Sequence, residues 1–316
     1  MAEDSPGQPD LSVLLVNWNT RQMTLECLQS IYDETVRTDF EVIVIDNASK
    51  DGSVEAIREQ FPQVRLIVET ENHGFGRATN IQVKQAQGRK LLLLNTDTVV
   101  LDGAIDNLFA FAEGNPEAKI WGGRTLYADK TLNPTSCWAK PTPWSMFAYA
   151  TGLSAAFPGS ALFNPRAYPG WDRDTVRQVD IVTGCLLMID RDFWKELGGF
   201  DPQFFMYGEE ADLCLRAAEQ GASPMITPDA TIIHYDGGST KPGARKIERT
   251  FAATQGMAER HFALGSRWTG QAALKLAAAM RAVGYRLTGK RDAAKIWSEV
   301  WRGRKVWSGT KLRHDG

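Results

Sequence analysis

Short, almost continuous apolar runs alternate with amphipathic segments over the first hundred residues. The runs are LSVLLVNWN (11–19), FEVIVIDNAS (40–49), VRLIVETEN (64–72) and LLLLNTDTVV (91–100). Such runs are typical of strands buried on both faces of a parallel sheet. The intervening segments predict helices, among them a segment at 20–33 with one apolar face and one at 78–88 that ends at Gly88. Alternating strands and helices predict right-handed βαβ units, so the fold class is α/β.

The pattern changes after about residue 120. Prolines and tryptophans between about Trp121 and Val179 predict irregular loops. A strand follows at 179–189, then a helix with Asp190 as its N-cap and an amphipathic helix at 209–221. After residue 240 the chain is rich in Ala, Arg, Lys and Trp, and we expect helices.

Composition excludes several classes of protein. The 316 residues are 43% hydrophobic and 23% charged, which is typical of a soluble globular protein. Four cysteines without CxxC spacing predict reduced thiols of a cytosolic protein. The acidic start MAEDSPGQPD predicts no signal peptide, and no apolar run reaches the 18 residues of a membrane span.

Charge is distributed unevenly along the chain. Residues 241–316 contain 17 Lys or Arg against 5 Asp or Glu, a balance of +12. Because the whole chain has a formal charge of −2, the first 240 residues carry −14. A basic tail on an acidic body indicates an anionic partner for the tail.

Each early apolar run ends in polar residues. These are Asn17 and Asn19, Asp46 and Asn47, Glu71 and Asn72, and finally Asp97. Ligands of open α/β sheets bind beyond the carboxyl ends of the strands, so these side chains are expected to converge on one site. Asp97 has an alternative interpretation as a cap of the helix that begins near Asp102. Gly74 and Gly76 could bring backbone close to a ligand, but GxGxxG is incomplete, which disfavours a dinucleotide-binding dehydrogenase.

Several ordered motifs resemble those of one enzyme family. They are VLLVNWNTRQMTLECLQSI, VIVIDNASKDGS, ENHGFGRATN, LLLLNTDT, GCLLMIDRDFWKELGGFDPQFFMYGEEADLCLR and HYDGGST. Together they are similar to family 2 glycosyltransferases of the GT-A fold, most of all to the rhamnosyltransferase-like branch that builds bacterial surface polysaccharides. The resemblance covers about residues 11–240 and does not extend to the tail.

The resemblance implies a domain organisation. Residues 11–240 would form a GT-A domain with a Rossmann-like, mostly parallel sheet flanked by helices. Its nucleotide-binding half would span about 11–100 and its acceptor-binding half about 101–240. Residues 1–10 are expected to be a disordered tail, and residues 241–316 a basic helical C-terminal extension.

The resemblance also implies a divalent metal, Mg²⁺ or Mn²⁺. Departure of a nucleoside diphosphate develops negative charge that such an ion offsets as a Lewis acid. The family's DxD-type motif is here Asn95-Thr96-Asp97, so Asp97 is expected to be its only carboxylate ligand. His234 resembles the family's late histidine and would be a further metal ligand or a diphosphate contact.

Donor-binding residues are assigned in the same way. Asp46 would contact the base or ribose of the nucleotide, and Thr183 and Gly184 would lie near the donor sugar and acceptor. Arg77 could pair with phosphate or form a surface salt bridge. The remaining expected pocket residues are Asn17, Asn19, Asn47, Asn72, Gly76, Asn80 and Asn95.

Three carboxylates crowd the start of one predicted helix: Glu209, Glu210 and Asp212. The helix dipole accounts for one acidic residue there, but three exceed what capping needs. In the family an Asp or Glu at this point deprotonates the acceptor hydroxyl, which is general-base catalysis. The family's usual Glu-Asp pair is Glu-Glu here, which assigns the base to Glu210. Direct in-line attack predicts inversion at the anomeric carbon.

The expected reaction moves a sugar from a nucleotide donor to a hydroxyl of a glycan or lipid-linked saccharide. By resemblance alone the expected donor is dTDP-rhamnose. A polyprenyl-phosphate sugar synthase is an alternative, although it would need no general base. A nucleotidyltransferase would normally show a basic glycine-rich loop after the first strand, and NWNTRQM lacks one. A non-catalytic nucleotide-sugar-binding scaffold remains the alternative that is not an enzyme.

The tail suggests a location. Residues 271–307 form two predicted helical stretches separated near Thr288–Gly289, with Trp297, Trp301 and Trp307 interleaved with basic residues. Tryptophan and basic residues favour an anionic membrane surface, which predicts a cytoplasmic protein peripheral on the inner face of the plasma membrane. The alternative is a helical element that packs on the acidic body or forms a homodimer. No nucleic-acid partner is expected, because the acidic body would repel a duplex.

Overall fold

The computed structural model describes residues 7–235 and 243–308, so residues 1–6 of the expected N-terminal tail and residues 236–240 of the HYDGGST motif lie outside the described residues. The strands are β1 Leu11–Asn17, β2 Phe40–Asp46, β3 Arg65–Val68, β4 Lys90–Leu94, β5 Thr98–Val100, β6 Ile120–Leu126, β7 Leu132–Asn133, β8 Cys137–Trp138, β9 Arg177–Gln178, β10 Ile181–Val182, β11 Leu186–Asp190 and β12 Met225–His234. The helices are α1 Arg21–Glu34, α2 Ser53–Gln60, α3 Gly74–Val83, α4 Ala104–Gly114, α5 Pro143–Thr151, α6 Leu153–Ala156, α7 Arg191–Leu197, α8 Glu209–Glu219, α9 Ala244–His261, α10 Arg267–Leu287, α11 Arg291–Arg302 and α12 Arg304–Trp307.

The central sheet has the strand order β3-β2-β1-β4-β11-β6-β12-β5. Strands β3, β2, β1 and β4 are parallel, as the βαβ pattern predicted. Strand β11 then pairs antiparallel with both β4 and β6, while β12 is parallel to β6. The predicted α/β class with a mostly parallel, helix-flanked sheet is confirmed. The antiparallel insertion of β11 was not predicted, because its partners are set by tertiary pairing.

Strand β4 lies in the middle of the sheet and is buried throughout. Leu92 and Leu94 pack in the core that lies against α1, α2 and α4. Leu91 and Leu93 point to the opposite face and pack in the core formed with α7 and α8. Side chains alternate across a strand, so a strand covered on both faces needs apolar residues at every position. The four consecutive leucines follow from this position.

Helix α3 differs from its prediction at both ends. It begins at Gly74 rather than near Ala78 and ends at Val83 rather than at Gly88. The predicted cap Gly88 instead packs on β1, where an added Cβ would lie 2.3 Å from the Ser12 backbone nitrogen. Asp190 does stand at the N-cap of α7, but its carboxylate makes no cap hydrogen bond and accepts one from Lys90 Nζ at 2.6 Å.

The C-terminal helices pack against the body. Phe251, Leu274 and Trp307 form a core cluster with Met146 and other residues of α5 and α9–α11. A second cluster joins α9 to α8 and to the loop before it. The predicted break between two helices is confirmed, since α10 ends at Leu287 and α11 begins at Arg291.

The tail tryptophans do not form an outward row. Trp307 is only 2% exposed, and Trp297 and Trp301 are partly buried against the same cluster. Trp297 lies beside Phe251 with ring centroids 6.0 Å apart. Burial rules out membrane contact for Trp307, whereas contact of the partly buried Trp297 and Trp301 with a membrane stays a prediction. None of the helices in residues 7–235 and 243–308 is long and apolar enough to cross a bilayer.

Candidate active site

A cavity of about 330 Å³ lies beyond the carboxyl ends of β1, β2 and β4. Nine of the sequence-predicted site residues line it: Asn47, Asn72, Asn95, Asp97, Thr183, Gly184, Glu209, Glu210 and His234. They come from six separate stretches of chain, and the sheet topology brings them together. The convergence that the polar strand ends predicted is thus present, although the other seven predicted residues do not line this cavity.

Asp97 and His234 meet because β5 pairs with the end of β12. Thr98 stands opposite His234 in that antiparallel ladder, and the Tyr235 amide donates to the Asp97 carbonyl oxygen at 3.0 Å. Asp97 Oδ1 lies 3.4 Å from His234 Nε2, and Asn95 Nδ2 lies 3.4 Å from the same nitrogen. Asp97 caps no helix, since α4 begins at Ala104 after Gly103. The capping interpretation of Asp97 is wrong.

This pair fits a divalent cation. Two protein ligands about 2.1 Å from one ion and at right angles to each other would be about 3 Å apart, close to the observed 3.4 Å. Burial by itself lowers the pKa of His234, but the neighbouring Cys185 sulfur and Asp97 carboxylate outweigh it and raise the pKa to about 11, so the imidazole must lose its proton when a cation binds. Within the described ranges no group of three or more His, Cys, Asp or Glu side chains could hold a metal.

Glu209 and Glu210 enter the cavity from the first turn of α8. Gly208 precedes them with φ +88°, a left-handed conformation that favours glycine. Glu209 is buried, and its Oε2 has no hydrogen-bond partner among the described residues. Burial, followed by repulsion from Glu210, raises the pKa of Glu209 well above its ordinary value. Burial also raises the pKa of Glu210, which backbone hydrogen bonds and the charge of Arg166 partly offset.

Asp212 is separated from these two carboxylates. It is fully buried and accepts from Arg216 Nε at 2.7 Å, with His261 Nε2 2.9 Å away. Arg260 Nη1 lies 3.3 Å from Asp212 Oδ1, the same oxygen that His261 contacts. Burial alone would raise the pKa of Asp212, but these partners together lower it. Asp212 therefore ties α8 to the C-terminal helix α9, and the geometry leaves Glu209 and Glu210 as candidates for the base.

Asn17, Asn19 and Asp46 lie beside the cavity and organise its loops. Asn17 Nδ2 donates to Asp46 Oδ2 at 2.6 Å, and the Ser49 amide donates to Asp46 Oδ1 at 2.9 Å. Asn19 has φ +54° and accepts from the Lys50 amide at 2.8 Å. These hydrogen bonds tie the β1–α1 loop to the β2–α2 loop beside the cavity. Contact of Asp46 with a nucleotide stays a prediction.

The remaining predicted donor residues lie on α3. Asn80 donates to the Phe200 carbonyl at 2.8 Å and accepts from the Phe200 amide at 3.1 Å. A Cβ at Gly76 would lie 3.4 Å from both the Phe200 Cβ and the Phe204 carbonyl oxygen. Asn80 and Gly76 thus hold the 200–205 loop against α3, and Arg77 on the same helix does not line the cavity. Donor contact of Asn80, Gly76 and Arg77 stays a prediction.

Some lining residues were missed by sequence reasoning. They are Val16, Trp18, Thr20, Phe75, Thr96, Thr135, Trp138, Cys185, Met206, Tyr207 and Lys246, whereas Gly74, which the sequence suggested for close backbone approach to a ligand, also lines the cavity. Lys246 is notable because it comes from α9, beyond the region of family resemblance, and is the one Lys or Arg among the lining residues of the described chain. The sequence does show a basic residue shortly after HYDGGST. Lys246 was not assigned to the site because it belongs to the segment that was interpreted as a separate basic tail.

Comparison with known proteins identifies the family of the chain. The family model "Glycosyl transferase family 2" matches residues 12–171. The chain belongs to this family and is a nucleotide-sugar-dependent glycosyltransferase, as the motifs predicted.

Two curated relatives lie in the branch that the motifs indicated. The chain is 27% identical over 241 residues to the O-antigen biosynthesis protein RfbC of Myxococcus xanthus. This alignment covers 75% of this chain and 18% of the relative. It is 26% identical over 214 residues to the N-acetylglucosaminyl-diphospho-decaprenol L-rhamnosyltransferase of Mycobacterium tuberculosis. This alignment covers 63% of this chain and 67% of the relative. The rhamnosyltransferase-like resemblance is confirmed.

A solved structure has the same fold. It is the mannosyltransferase PcManGT from Pyrobaculum calidifontis in complex with GDP-Man and Mn²⁺. The TM-score is 0.58 at 18% identity, over 96% of this chain and 88% of the other. At that identity the likeness shows the fold alone, which confirms the predicted GT-A architecture.

Proposed function

We propose that this protein is an inverting, metal-dependent rhamnosyltransferase that uses dTDP-rhamnose and glycosylates a hydroxyl of a glycan or lipid-linked saccharide in surface-polysaccharide synthesis. One observation carries the proposal: the adjacent side chains of Asp97 and His234 line the same cavity as two carboxylates, Glu209 and Glu210. The names of the two curated relatives support the sugar and the setting. The Mn²⁺ and GDP-Man of the solved neighbour support a metal and a nucleotide sugar.

The residues have distinct roles in the proposed reaction. The acceptor oxygen forms a bond to the anomeric carbon as the bond from that carbon to the donor phosphate oxygen breaks. Glu210 accepts the hydroxyl proton, and its raised pKa suits a base that works near neutral pH. The products are the glycoside, the nucleoside diphosphate and protonated Glu210. Attack opposite the leaving group inverts the anomeric carbon.

Negative charge on the departing diphosphate needs cations. Asp97 and His234 would hold a divalent ion, which would supply Lewis-acid stabilisation of that charge. Lys246 lines the cavity from α9. Its ammonium group would add a second positive charge and donate hydrogen bonds to the diphosphate. Asn47 and Asn72 fix the loop at the start of α3, since His73 and Gly74 amides donate to their side chains at 3.2 and 2.8 Å.

The deciding experiment is donor selection. The purified chain is incubated with Mn²⁺ and each of a panel of nucleotide sugars, and release of the nucleoside diphosphate is measured with and without a lipid-linked acceptor. We expect release from dTDP-rhamnose above all other donors. Faster release from a different sugar nucleotide would replace the donor assignment, and no release from any donor would remove the catalytic proposal.

The tail is proposed to dock on an anionic membrane at the cytoplasmic face, by a surface other than the one the tryptophans suggested. Four apolar residues spaced four, three and four apart form an exposed face of α10: Leu276, Met280, Val283 and Leu287. Helical residues with this spacing share one side. The excess of basic residues in the tail supports attraction to anionic lipid.

A further inference from the structure

A second cavity, of about 310 Å³, lies between α5, the 163–166 segment, α9 and α10. Trp138 lines this cavity and also lines the candidate active site. The short β8–β10 ladder holds it in place, since Trp138 stands opposite Ile181, two residues before Thr183 of the active site. The two cavities therefore share one residue as a wall. A ligand in the second cavity would lie next to a ligand in the active site.

Aromatic rings form much of the lining of the second cavity: Trp138, Tyr149, Phe163 and Phe251. Arg281 Cζ lies 4.6 Å from the Tyr149 ring centroid, and the Phe251 ring meets Tyr149 edge-on with centroids 6.4 Å apart. Aromatic walls with a few well-placed polar groups are typical of small-molecule sites. The C–H groups of a pyranose ring pack on such walls, so the lining suits a sugar.

The second cavity also supplies partners for sugar hydroxyls. Tyr149 and Ser154 line it, and their hydroxyls make no hydrogen bond with any residue of the described ranges. Thr250 and Thr254 each donate to a backbone carbonyl, at 2.9 and 2.8 Å, which leaves the lone pairs of their oxygens as acceptors. The hydroxyls of a sugar therefore find both donors and acceptors here.

One charged side chain, Arg166, is present among the described residues that line the second cavity. The Ala139 amide donates to the Arg166 carbonyl at 2.9 Å, and Arg166 Nε donates to the Ala139 carbonyl at 3.4 Å. The terminal nitrogens of Arg166 donate to no described residue, and no described carboxylate lies within 4.0 Å of them. The terminal nitrogens of the buried Arg173, in contrast, donate to three backbone carbonyls. Arg166 therefore has donors left for an anionic ligand.

Charge decides which anion suits Arg166. Burial lowers the pKa of Arg166, and the negative charge of Glu210 partly restores it, although the two groups form no ion pair. A carboxylate balances a single guanidinium and accepts two parallel hydrogen bonds from it. A phosphate monoester carries roughly two negative charges at neutral pH and would leave an excess that repels Glu210. One cation beside one carboxylate therefore favours a ligand with a single negative charge.

We propose that the second cavity binds an acidic sugar, a hexuronate residue of the acceptor glycan, with its carboxylate on Arg166 and its ring against the aromatic lining. The sugar bonded to this hexuronate would lie past Trp138 and present its hydroxyl to Glu210. This inference rests on the proposed glycosyltransferase function and specifies the acceptor as an acidic glycan. The cavity would select the sugar next to the one that is glycosylated.

The test is direct binding of two glycosides to the full chain, measured by ligand-observed NMR titration with EDTA present and no donor. Methyl glucuronide and methyl glucoside differ only in a carboxylate in place of a hydroxymethyl group. We expect the glucuronide to bind at least roughly tenfold more tightly. The glucoside phosphorylated on its hydroxymethyl group is the third ligand and should bind more weakly than the glucuronide. Tighter binding of the phosphate, equal binding of the two glycosides, or no binding of the glucuronide would overturn the proposal.

Variants of Arg166 test recognition of the carboxylate. Arg166→Met removes the charge at similar side-chain length, so it should make the two glycosides bind equally without weakening the glucoside. Arg166→Lys keeps the charge but loses the planar fork, and it should retain part of the preference. This preference separates charge recognition from a general loss of structure, which would weaken both glycosides. Arg58→Met, at an exposed site of α2, is the matched control and should leave the preference unchanged.

Two further variants locate the ligand. Ser154→Trp fills the second cavity while leaving Arg166 in place, and it should abolish binding of both glycosides. If Arg166→Met does not fold, Ser154→Trp decides, and unchanged binding in a folded Ser154→Trp protein would overturn the inference. Lys246→Met should leave glucuronide binding unchanged. Loss of the preference in Lys246→Met would place the carboxylate in the candidate active site and would equally overturn the inference.

Failure of the inference is distinguishable from failure of the proposed function. Hydrolytic release of nucleotide from the donor tests the active site without any acceptor. Wild-type protein that hydrolyses a donor but shows no preference for the glucuronide overturns only the acceptor assignment. Protein that prefers the glucuronide but releases nucleotide from no donor overturns the proposed function and leaves the binding assignment of the cavity intact.

Discussion

Asp97 Oδ1 and His234 Nε2 lie 3.4 Å apart at the carboxyl edge of the sheet, although one follows β4 and the other ends β12. We predict that Asp97→Asn reduces transfer by roughly a thousandfold, because a metal supplies several kcal/mol of transition-state stabilisation. EDTA should have the same effect on the wild-type protein. Nucleotide release at varied Mn²⁺ is the measurement, with a thermal melt to verify folding. Full activity of the wild-type protein in EDTA would remove the metal role.

Glu210→Gln preserves size and removes the base. We expect kcat to fall by about 10²–10⁴, the usual contribution of general-base catalysis, with donor binding retained. Single-turnover transfer and donor titration separate the two quantities. Glu209→Gln is the matched comparison. If Glu210→Gln transfers at the wild-type rate and Glu209→Gln is inactive, the base is Glu209.

The pH dependence of activity also tests whether Glu210 is the general base. Burial raises the pKa of Glu210, so the protonated, inactive form should persist above the ordinary glutamate value of about 4.3. The activity of the wild-type protein should therefore fall, as pH decreases, at a pH higher than that value. A profile of kcat/KM against pH for the free enzyme reports this pKa. An acid limb at the ordinary value would contradict the assignment.

Glu209 should affect stability as well. Its folded-state pKa is raised above the unfolded value, so the folded protein binds more protons and the free energy of unfolding decreases as pH rises through that interval. Glu209→Gln removes this penalty. We expect a higher melting temperature than wild type at pH 8 and a smaller difference at pH 4. A variant that melts below wild type at pH 8 would contradict the raised pKa.

Asp212, in contrast to Glu209, should stabilise the folded protein in its charged form. Removing one partner of a buried ion pair leaves uncompensated charge, which costs about 3–5 kcal/mol. We expect Asp212→Asn to lower the free energy of unfolding by that order, measured in urea. Asp192→Asn is the control, since its pair with Lys195 is exposed and screened by solvent, so its loss should change the free energy of unfolding little. Equal effects of the two substitutions would contradict the structural role of Asp212.

Lys246→Met tests whether the tail contributes to donor binding. Loss of a charge-assisted hydrogen bond of about 1.5–3 kcal/mol should raise the donor KM by roughly ten- to a hundredfold. Lys84→Met, an exposed lysine at the end of α3, is the matched control. The donor KM is measured by steady-state kinetics at varied donor concentration. An unchanged KM in Lys246→Met would place the lysine outside the donor site.

Membrane docking needs a surface substitution, because truncation after residue 240 would remove α9 from the core clusters that include Phe204 and Leu215. Met280→Glu together with Val283→Glu alters the exposed face of α10 without entering the core. We expect the wild-type protein to sediment with anionic liposomes at low salt and the double variant to remain in the supernatant. Neutral liposomes are the control. Wild-type protein that does not sediment falsifies the docking proposal and favours a homodimer through this face.

Local chemistry of the sequence determined the parallel half of the fold. Apolar runs ending in Asn17, Asp46 and Asp97 predicted both the strands and the edge where a ligand binds, because side-chain period and strand burial are local properties. The Asp97 metal prediction depended on that position and on a recognisable motif. The same local signals placed Glu209 and Glu210 at the start of a helix.

Only the tertiary structure decided which of these residues share a site. Asp212 lies two residues after Glu210 but turns into an ion-pair cluster with His261, whereas Lys246 joins the cavity from the distant tail. Trp307 at the end of the tail packs inward against Phe251. These outcomes depend on contacts between segments far apart in the chain. The period of hydrophobicity states which face of an element is buried, but the partner that buries it is determined only when the whole chain packs.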